Sequence, residues 1–418
     1  MSATSDPPAP RALIMCYGMG LFSMGLMDVL LFIVPLWALY LGASATEVGI
    51  VAGARSVVPF ILAIHGGVLM DRLGTKRIMA ASAIAVIVSA PLYPGMPWIP
   101  AVIVLQLITG YATTIAWVGA QTVMAQVCRG DTGYLGTFNF ASRIGTFLAP
   151  VLMGLLWDFT NAWFTFLFVS LWAAALLTFT LLTPEIESPE EPREPMAAAD
   201  GPRPGLGARL RALSPKPADY VQTFALLLIP AIAISMAGGF LRNTTSAVQG
   251  SIYVVYLNEV GLTGTAIGAL FAAIEGASAI GSLLAGRSQR VIKPYSLMLT
   301  TTALGIILIN GTPLLGGIFA LLMGAQLLRG VIQGINQPVL FGIQARAAGR
   351  TRQGATVALR VTLNRLVSIV VPPVMGIIAD TAGIAMSFYW LGGVLLVMTA
   401  GLAVCIRLAP NDDTESRW

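Results

Sequence analysis

Gly67-Val68-Leu69-Met70-Asp71-Arg72-Leu73-Gly74-Thr75-Lys76-Arg77-Ile78 is a charged knot in a chain that otherwise avoids charge. It sets one acid beside one arginine, adds two more basic residues, and has long apolar stretches on either side. A short, turn-like, cationic segment of this kind is what a tight cytoplasmic loop between two membrane helices requires.

The rest of the chain supports that reading. Hydrophobic residues make up 56% of the 418 positions and charged residues 10%. Mean hydropathy is +0.80. A soluble domain carries roughly 25% charged residues, so most of this surface is not built for water. Twelve runs are long enough to cross a hydrocarbon core of ~30 Å as helices of about 20 residues. They lie near 13–41, 47–70, 78–95, 98–127, 135–157, 161–183, 225–257, 264–286, 294–311, 315–346, 355–379 and 383–408. Continuous apolarity over such lengths predicts helices rather than the strands of a barrel. The first run reads as a span, not a cleaved signal peptide, because it is too long and has only Arg11 before it.

Charge placement sets the expected orientation. Arg72, Lys76, Arg77, Arg129, Arg287, Arg290, Lys293, Arg346, Arg350 and Arg352 fall in every second loop. The alternate loops hold Glu47, Asp158, Glu259 and Asp380 and no basic residue. Both termini are therefore expected in the cytoplasm, with the protein in the cell (inner) membrane. The formal charge of +5 then reports topology and predicts no nucleic-acid partner. Cys16, Cys128 and Cys405 with the single His65 make no metal-ligand pattern, so neither metal nor cofactor is expected. No P-loop, H-E-x-x-H or G-x-S-x-G pattern is present, so the chain is not expected to be an enzyme or an ATP-driven pump.

Residues 184–219 break the apolar pattern with a Pro- and Glu-rich run that reads as a cytoplasmic linker. Gly207-Ala-Arg-Leu-Arg-Ala-Leu within it is a short basic amphipathic piece, expected as part of a solvated tether, with a place on the anionic inner leaflet as the alternative. The expected units are a tail at 1–12, a six-helix bundle at 13–183, the linker, a second bundle at 220–408 and a tail at 409–418. The bundles echo each other. Arg143, Pro150, Gly154 and Asp158 match Arg365, Pro372, Gly376 and Asp380 at one offset (365 − 143 = 222). An intramembrane arginine within a four-position match points to duplication of a six-helix unit.

Six plus six helices, the central loop and the Gly67–Ile78 string resemble the major facilitator superfamily. The string is similar to the family signature G-x-L-x-D-R-x-G-x-K/R-K/R, with Thr75 in place of one basic residue. The stretch Gly145–Gly154 is similar to the family's fifth-helix antiporter motif, with Ala149 and Met153 substituted. The resemblance implies an all-α membrane protein of two pseudo-symmetric six-helix bundles that works as a monomer by alternating access. It also implies a cytoplasmic gate at Gly67, Asp71, Arg72, Gly74, Lys76 and Arg77.

Ionisable groups inside the spans are costly and generally face a cavity. Asp28 and Glu275 are the candidate proton carriers, because a low-dielectric site favours the neutral form of a carboxyl group. For each, the alternative is a permanent ion pair, in the case of Asp28 with Arg55 or Arg242. Arg55, Arg242 and Arg329 are expected to line a substrate cavity with Asn336, Tyr111, Trp117 and Tyr253. Arg143 and Arg365 are expected to brace the cytoplasmic ends of helices five and eleven, with Gly145, Pro150, Gly154, Pro372 and Gly376 completing that motif. His65 is expected to be a packed helix-end residue. Gly238-Gly239 is expected to loosen helix seven, and Trp37, Tyr40, Trp98, Trp157 and Trp163 to form an outer aromatic belt.

The expected function is proton-coupled export of a small organic solute, with lipids as the surrounding partner. Uptake or exchange of an organic anion through an arginine-rich cavity is the alternative within transport. A receptor or scaffold without transport is the alternative outside it.

Overall fold

Helices account for nearly all of the described residues in a computed structural model that describes residues 8–62, 69–70, 73–128, 131–184, 224–348 and 353–408. The first bundle comprises α1 (Pro10–Tyr40), α2 (Ala45–Ile61), α3 (Thr75–Ser89), α4 (Ile99–Cys128), α5 (Thr132–Phe159) and α6 (Ala162–Leu182). The second comprises α7, in two pieces (α7a, Pro230–Gln249; α7b, Ile252–Glu259), and α8 (Gly264–Val291), α9 (Pro294–Asn310), α10 (Phe319–Ala348), α11 (Gln353–Ala382) and α12 (Ile384–Leu408). Gly67, Asp71, Arg72, His65 and the linker lie outside the described residues.

Local chemistry explains where these helices begin and end. Proline opens α1, α7a and α9, where its missing N–H costs nothing. Asp131 and Asn161 cap α5 and α6 through their side chains. At the opposite ends, α1 and α7b stop in the same way. Gly42 (φ 81°) and Gly261 (φ 79°) take the left-handed conformation, and the next residues, Ala43 and Leu262, donate back to Ala38 and Leu257. The break in the seventh span falls at Gly250-Ser251 rather than at Gly238-Gly239. Gly238 and Gly239 are buried within a continuous helix, whereas Gly250 lies directly against the Leu31 side chain of α1.

Among the described residues, eight helices are long and apolar enough to span a membrane. The four that fall short are α2, α7, α9 and α10. Of these, α2 and α9 are described over only 17 residues each, α7 is broken, and α10 carries Gln326, Arg329, Gln333, Asn336 and Gln344. Polar content in a spanning helix is tolerated where it faces protein or a cavity rather than lipid.

Within the first bundle α1 packs on α4, α5 and α6, α2 on α4, and α3 on α4 and α6. The second bundle repeats this with α7 on α11, α8 on α10, and α9 on α10 and α12. Two contacts dominate between the bundles, α2 with α11 and α5 with α8, and the repeat relates one to the other. Each bundle is also stitched internally by polar contacts. Trp172 Nε1 donates to the Phe22 carbonyl (3.0 Å), tying α6 to α1. The Asn336 amide donates to Thr301 Oγ1 (2.7 Å), Thr302 Oγ1 (3.1 Å) and the Met298 carbonyl (3.2 Å), tying α10 to α9.

The residues expected in an outer aromatic belt differ in exposure. Tyr40, Trp98 and Trp163 are exposed, but Trp37 turns inward. It packs edge-on to Trp157 and Phe166 near the end of α1.

Candidate functional site

The end of the molecule where α1 stops and α2 starts is called here the far end; the near end holds Pro10 and Leu408. At the far end the two bundles hold each other by helix capping. The Asp380 carboxylate, on α11, accepts from the Ala45 and Thr46 amides (3.0 and 2.9 Å) at the start of α2. Ser44 Oγ accepts from the Glu47 amide (3.2 Å) and the Ser44 carbonyl from the Val48 amide (3.0 Å). With the Ser44 amide donating to Glu47 Oε2 (2.9 Å), the four amides that a helix start leaves without intrahelical partners, those of Ser44, Ala45, Thr46 and Glu47, are all satisfied, two of them by the other bundle.

The repeat-related place is built alike, with three of these amides satisfied. Asp158, on α5, accepts from the Gly264 and Thr265 amides of α8 (2.8 and 2.7 Å). Thr263 Oγ1 accepts from Ala266 (3.3 Å) and the Thr263 carbonyl from Ile267 (3.0 Å). A carboxylate at a helix N-terminus gains from the charge-assisted bonds and from the helix dipole. In the sequence, Asp158 and Asp380 stand out only as repeat mates. The further signal lies in Ser44-Ala-Thr and Thr263-Gly-Thr, two N-cap strings at the starts of α2 and α8.

Small residues let these ends meet. A Cβ on Gly154 would collide with the Gly264 carbonyl, and one on Gly268 with the Pro150 carbonyl. On the other side, a Cβ on Gly376 would meet the Ala45 carbonyl and one on Gly49 the Pro372 carbonyl. Four of the motif residues, Pro150, Gly154, Pro372 and Gly376, therefore form the seam between the bundles, while Gly145 packs on α1 at Leu21. Gly49→Val or Gly154→Val is expected to prise the seam apart. A cysteine introduced at Ile252, which has 0% exposure, should then react with a water-soluble maleimide at least several-fold faster, measured with exposed Cys405 replaced by Ser.

Deeper in the molecule, ionisable side chains gather where the seam ends. Arg143 Nη1 donates to Glu275 Oε2 at 2.5 Å, joining α5 to α8. The two side chains keep 36% and 24% exposure, so water reaches the pair. Arg143 lies eleven residues into α5, roughly 16 Å from its start. It therefore does not brace a helix end, as its alignment with Arg365 suggested. Arg365 is equally deep in α11 and donates to Thr114 Oγ1 of α4 (3.2 Å).

Asp28, on α1, makes neither an ion pair nor a hydrogen bond through its side chain among the described residues. The charges that act on it are Glu275, Arg55 and Arg143. Its expected alternative, a closed pair with Arg55 or Arg242, is not formed. Glu275 does take the paired form. Arg242 has no side-chain hydrogen bond among the described residues, and its Nε is enclosed without an acceptor. Arg143, Glu275 and Arg360 are the charges acting on it.

Three expected cavity residues are instead interior. Arg329 has 2% exposure and donates to Gln326 Oε1 (3.1 Å) and the Thr245 carbonyl (3.0 Å). Tyr253 is packed against Phe271, beside Arg329. Asn336 is used in the α9–α10 stitch. These side chains satisfy helix–helix contacts, which a polar residue in a spanning helix does as readily as it faces a cavity. Tyr111 and Arg55 are half-buried, and Trp117 stacks on Phe138 (5.8 Å between centroids).

Of the expected gate, Gly74, Lys76 and Arg77 are described. Gly74 precedes α3 at φ 89°, a conformation that favours glycine. Lys76 Nζ donates to the Thr183 carbonyl (2.6 Å), fastening the start of α3 to the end of α6. Arg77 is exposed.

Two repeated six-helix bundles, meeting along a seam that ends in buried charge, are the architecture of a polytopic membrane transporter. The chain belongs to the Major Facilitator Superfamily, whose sequence profile matches residues 16–243 and 235–417. It is 27% identical over 340 residues to the enterobactin exporter EntS of Salmonella typhi, covering 77% of this chain and 72% of that one. The exporter of the same name from Citrobacter koseri is also 27% identical, over 347 residues, with 78% and 75% covered. Among solved structures, a mutant nucleoside transporter NupG superposes with a TM-score of 0.76 at 12% identity, over 94% of this chain and 99% of that chain. A D-xylose–proton symporter gives 0.68 at 14%, over 94% and 96%. At these identities the structures speak for the fold.

Proposed function

We propose that this transporter exports a small organic solute from the cytoplasm in exchange for protons, alternating its access between the two faces of the cell membrane. The observation that carries the reading is Asp28: an acid at mid-depth, between the bundles, with no fixed partner among the described residues and with Arg55, Arg143 and Glu275 around it. A carboxyl group held by a permanent ion pair would stay charged; one without such a partner is free to bind and release a proton. Outward direction rests on the relatives named as exporters.

In this reading the near end, with both termini and the Lys- and Arg-bearing loops, is cytoplasmic. The seam and its two carboxylate caps then close the outer side. Residues 13–183 and 220–408 move as the two rocking units. The unit of function is a monomer, and Gly67, Asp71, Arg72, Gly74, Lys76 and Arg77 serve the gate that closes the cytoplasmic side.

The test is transport into inside-out proteoliposomes with an imposed proton gradient, acidic inside, screened against a panel of labelled organic solutes. Accumulation that collapses with a protonophore and needs no ATP is expected. Flux that merely equilibrates solute regardless of the gradient would overturn proton coupling, and ATP dependence would overturn the reading altogether.

A further inference from the structure

We infer that the exported solute is an organic anion, and that its carboxylate or similar oxyanion group takes the place of the Glu275 side chain on Arg143, with Arg242 as the second contact. The inference rests on the transport reading above and names its substrate class.

The charge inventory is the first argument. Arg329 and Arg365 are held by neutral oxygens, of Gln326, Thr245 and Thr114. Arg360 likewise donates to Gln344 Oε1 (3.4 Å) and stacks over Phe341. The remaining group sets three arginines, Arg55, Arg143 and Arg242, against Asp28 and Glu275. It is short of one negative charge even when both acids are ionised, and an arginine cannot correct this by losing its proton.

Geometry then locates the deficit. Within this group Arg55 and Arg242 both lack a side-chain hydrogen bond among the described residues, but Arg242 is the one whose Nε is fully enclosed, and leaving a buried charged donor unsatisfied is costly. Its neighbours in charge are Arg143, Glu275 and Arg360. Arg143, in turn, is partnered by a single carboxylate oxygen on a side chain that water reaches. A guanidinium presents several donors in a fixed fork and binds a carboxylate best with two of them. The Arg143–Glu275 bond uses one. Glu275 is thus the internal carboxylate that holds the place of the solute, and Arg242 is the donor waiting for the solute's second oxygen.

Chemical rescue tests this with a simple carboxylate in place of the solute. Glu275→Ala should lower the melting temperature of the purified transporter in phosphatidylcholine nanodiscs. Sodium acetate, a free carboxylate, should restore about 2–4 °C of that loss at concentrations well above its Kd. Acetamide should not, wild type should respond less than the variant, and Arg143→Gln/Glu275→Ala should respond to neither. If Glu275→Ala is not recovered folded, Glu275→Ser carries the same test. Equal effects of acetate and acetamide, or an unchanged acetate effect without Arg143, would overturn the inference. So would full restoration by phosphatidylglycerol nanodiscs without acetate, which would assign Arg143 to lipid headgroups. Rescue should persist in an Asp28→Asn background, so failure of the anion site and failure of proton coupling are told apart.

Discussion

Asp28→Asn is expected to cost gradient-driven transport more than about tenfold while leaving solute counterflow within about threefold of wild type. The asymmetry follows from what the side chain does. Asp28 sits roughly 18 Å along α1 from its far end and 27 Å from its start, so a proton there is reached from either side as the bundles rock. Asparagine keeps the size and polarity but holds no exchangeable proton, so the empty carrier loses its coupling to the gradient. Exchange of solute for solute needs no proton on Asp28 and should survive. Asp28→Glu should retain part of the driven flux. Because Asp28 makes no hydrogen bond or ion pair to a described residue, the substitution breaks no contact, and the fold should be indifferent to it. Initial rates in proteoliposomes, with and without the gradient, measure both halves of the prediction.

The second large effect is expected at the far end. Asp158→Asn/Asp380→Asn should shift the transporter toward opening at that end. Each carboxylate accepts two backbone amides of the other bundle. An asparagine side chain keeps one acceptor oxygen and no charge. Both aspartates are exposed, so screening limits the loss to about 1 kcal/mol each, or roughly 30-fold in the balance of states for the pair. Spin labels at Tyr40→Cys on α1 and Glu259→Cys on α7b, with Cys405→Ser, report the separation of the bundles there. The double variant should populate a longer distance that wild type shows rarely. Each single variant should fall between, because the two caps lie on separate contacts and their effects add.

How much of this is legible in the sequence depends on the range over which each feature is decided. The helices are, because unbroken apolarity is a local property; even α7, which breaks at Gly250-Ser251, reads as one span. The repeat is too, since a constant offset is independent of contacts. Depth along a helix is less so. Arg143 and its mate Arg365 both read as helix-end residues, yet both lie well inside. Which polar residues face water is not legible at all. Asn336 and Tyr253 have the composition of cavity residues, but Asn336 meets Thr301 and Thr302 on α9, and Tyr253 packs against Phe271 on α8. The cap of α2 by Asp380 joins residues 335 positions apart, and no local rule connects them. The signature loop leads to the correct family, but the capping contacts between the bundles that are described lie at the far end of the molecule.

The most direct test of the central claim is the distance between the Tyr40→Cys and Glu259→Cys labels, measured in nanodiscs as the pH is stepped between about 5 and 9, in wild type and in Asp28→Asn. The charged groups acting on Asp28 are Arg55, Arg143 and Glu275, and Glu275 is held by Arg143. If protonation of Asp28 drives alternation, the wild-type distance distribution should pass from one population to another with pH, and the Asp28→Asn distribution should stay fixed. An identical pH response in both proteins, or none in either, would contradict the account.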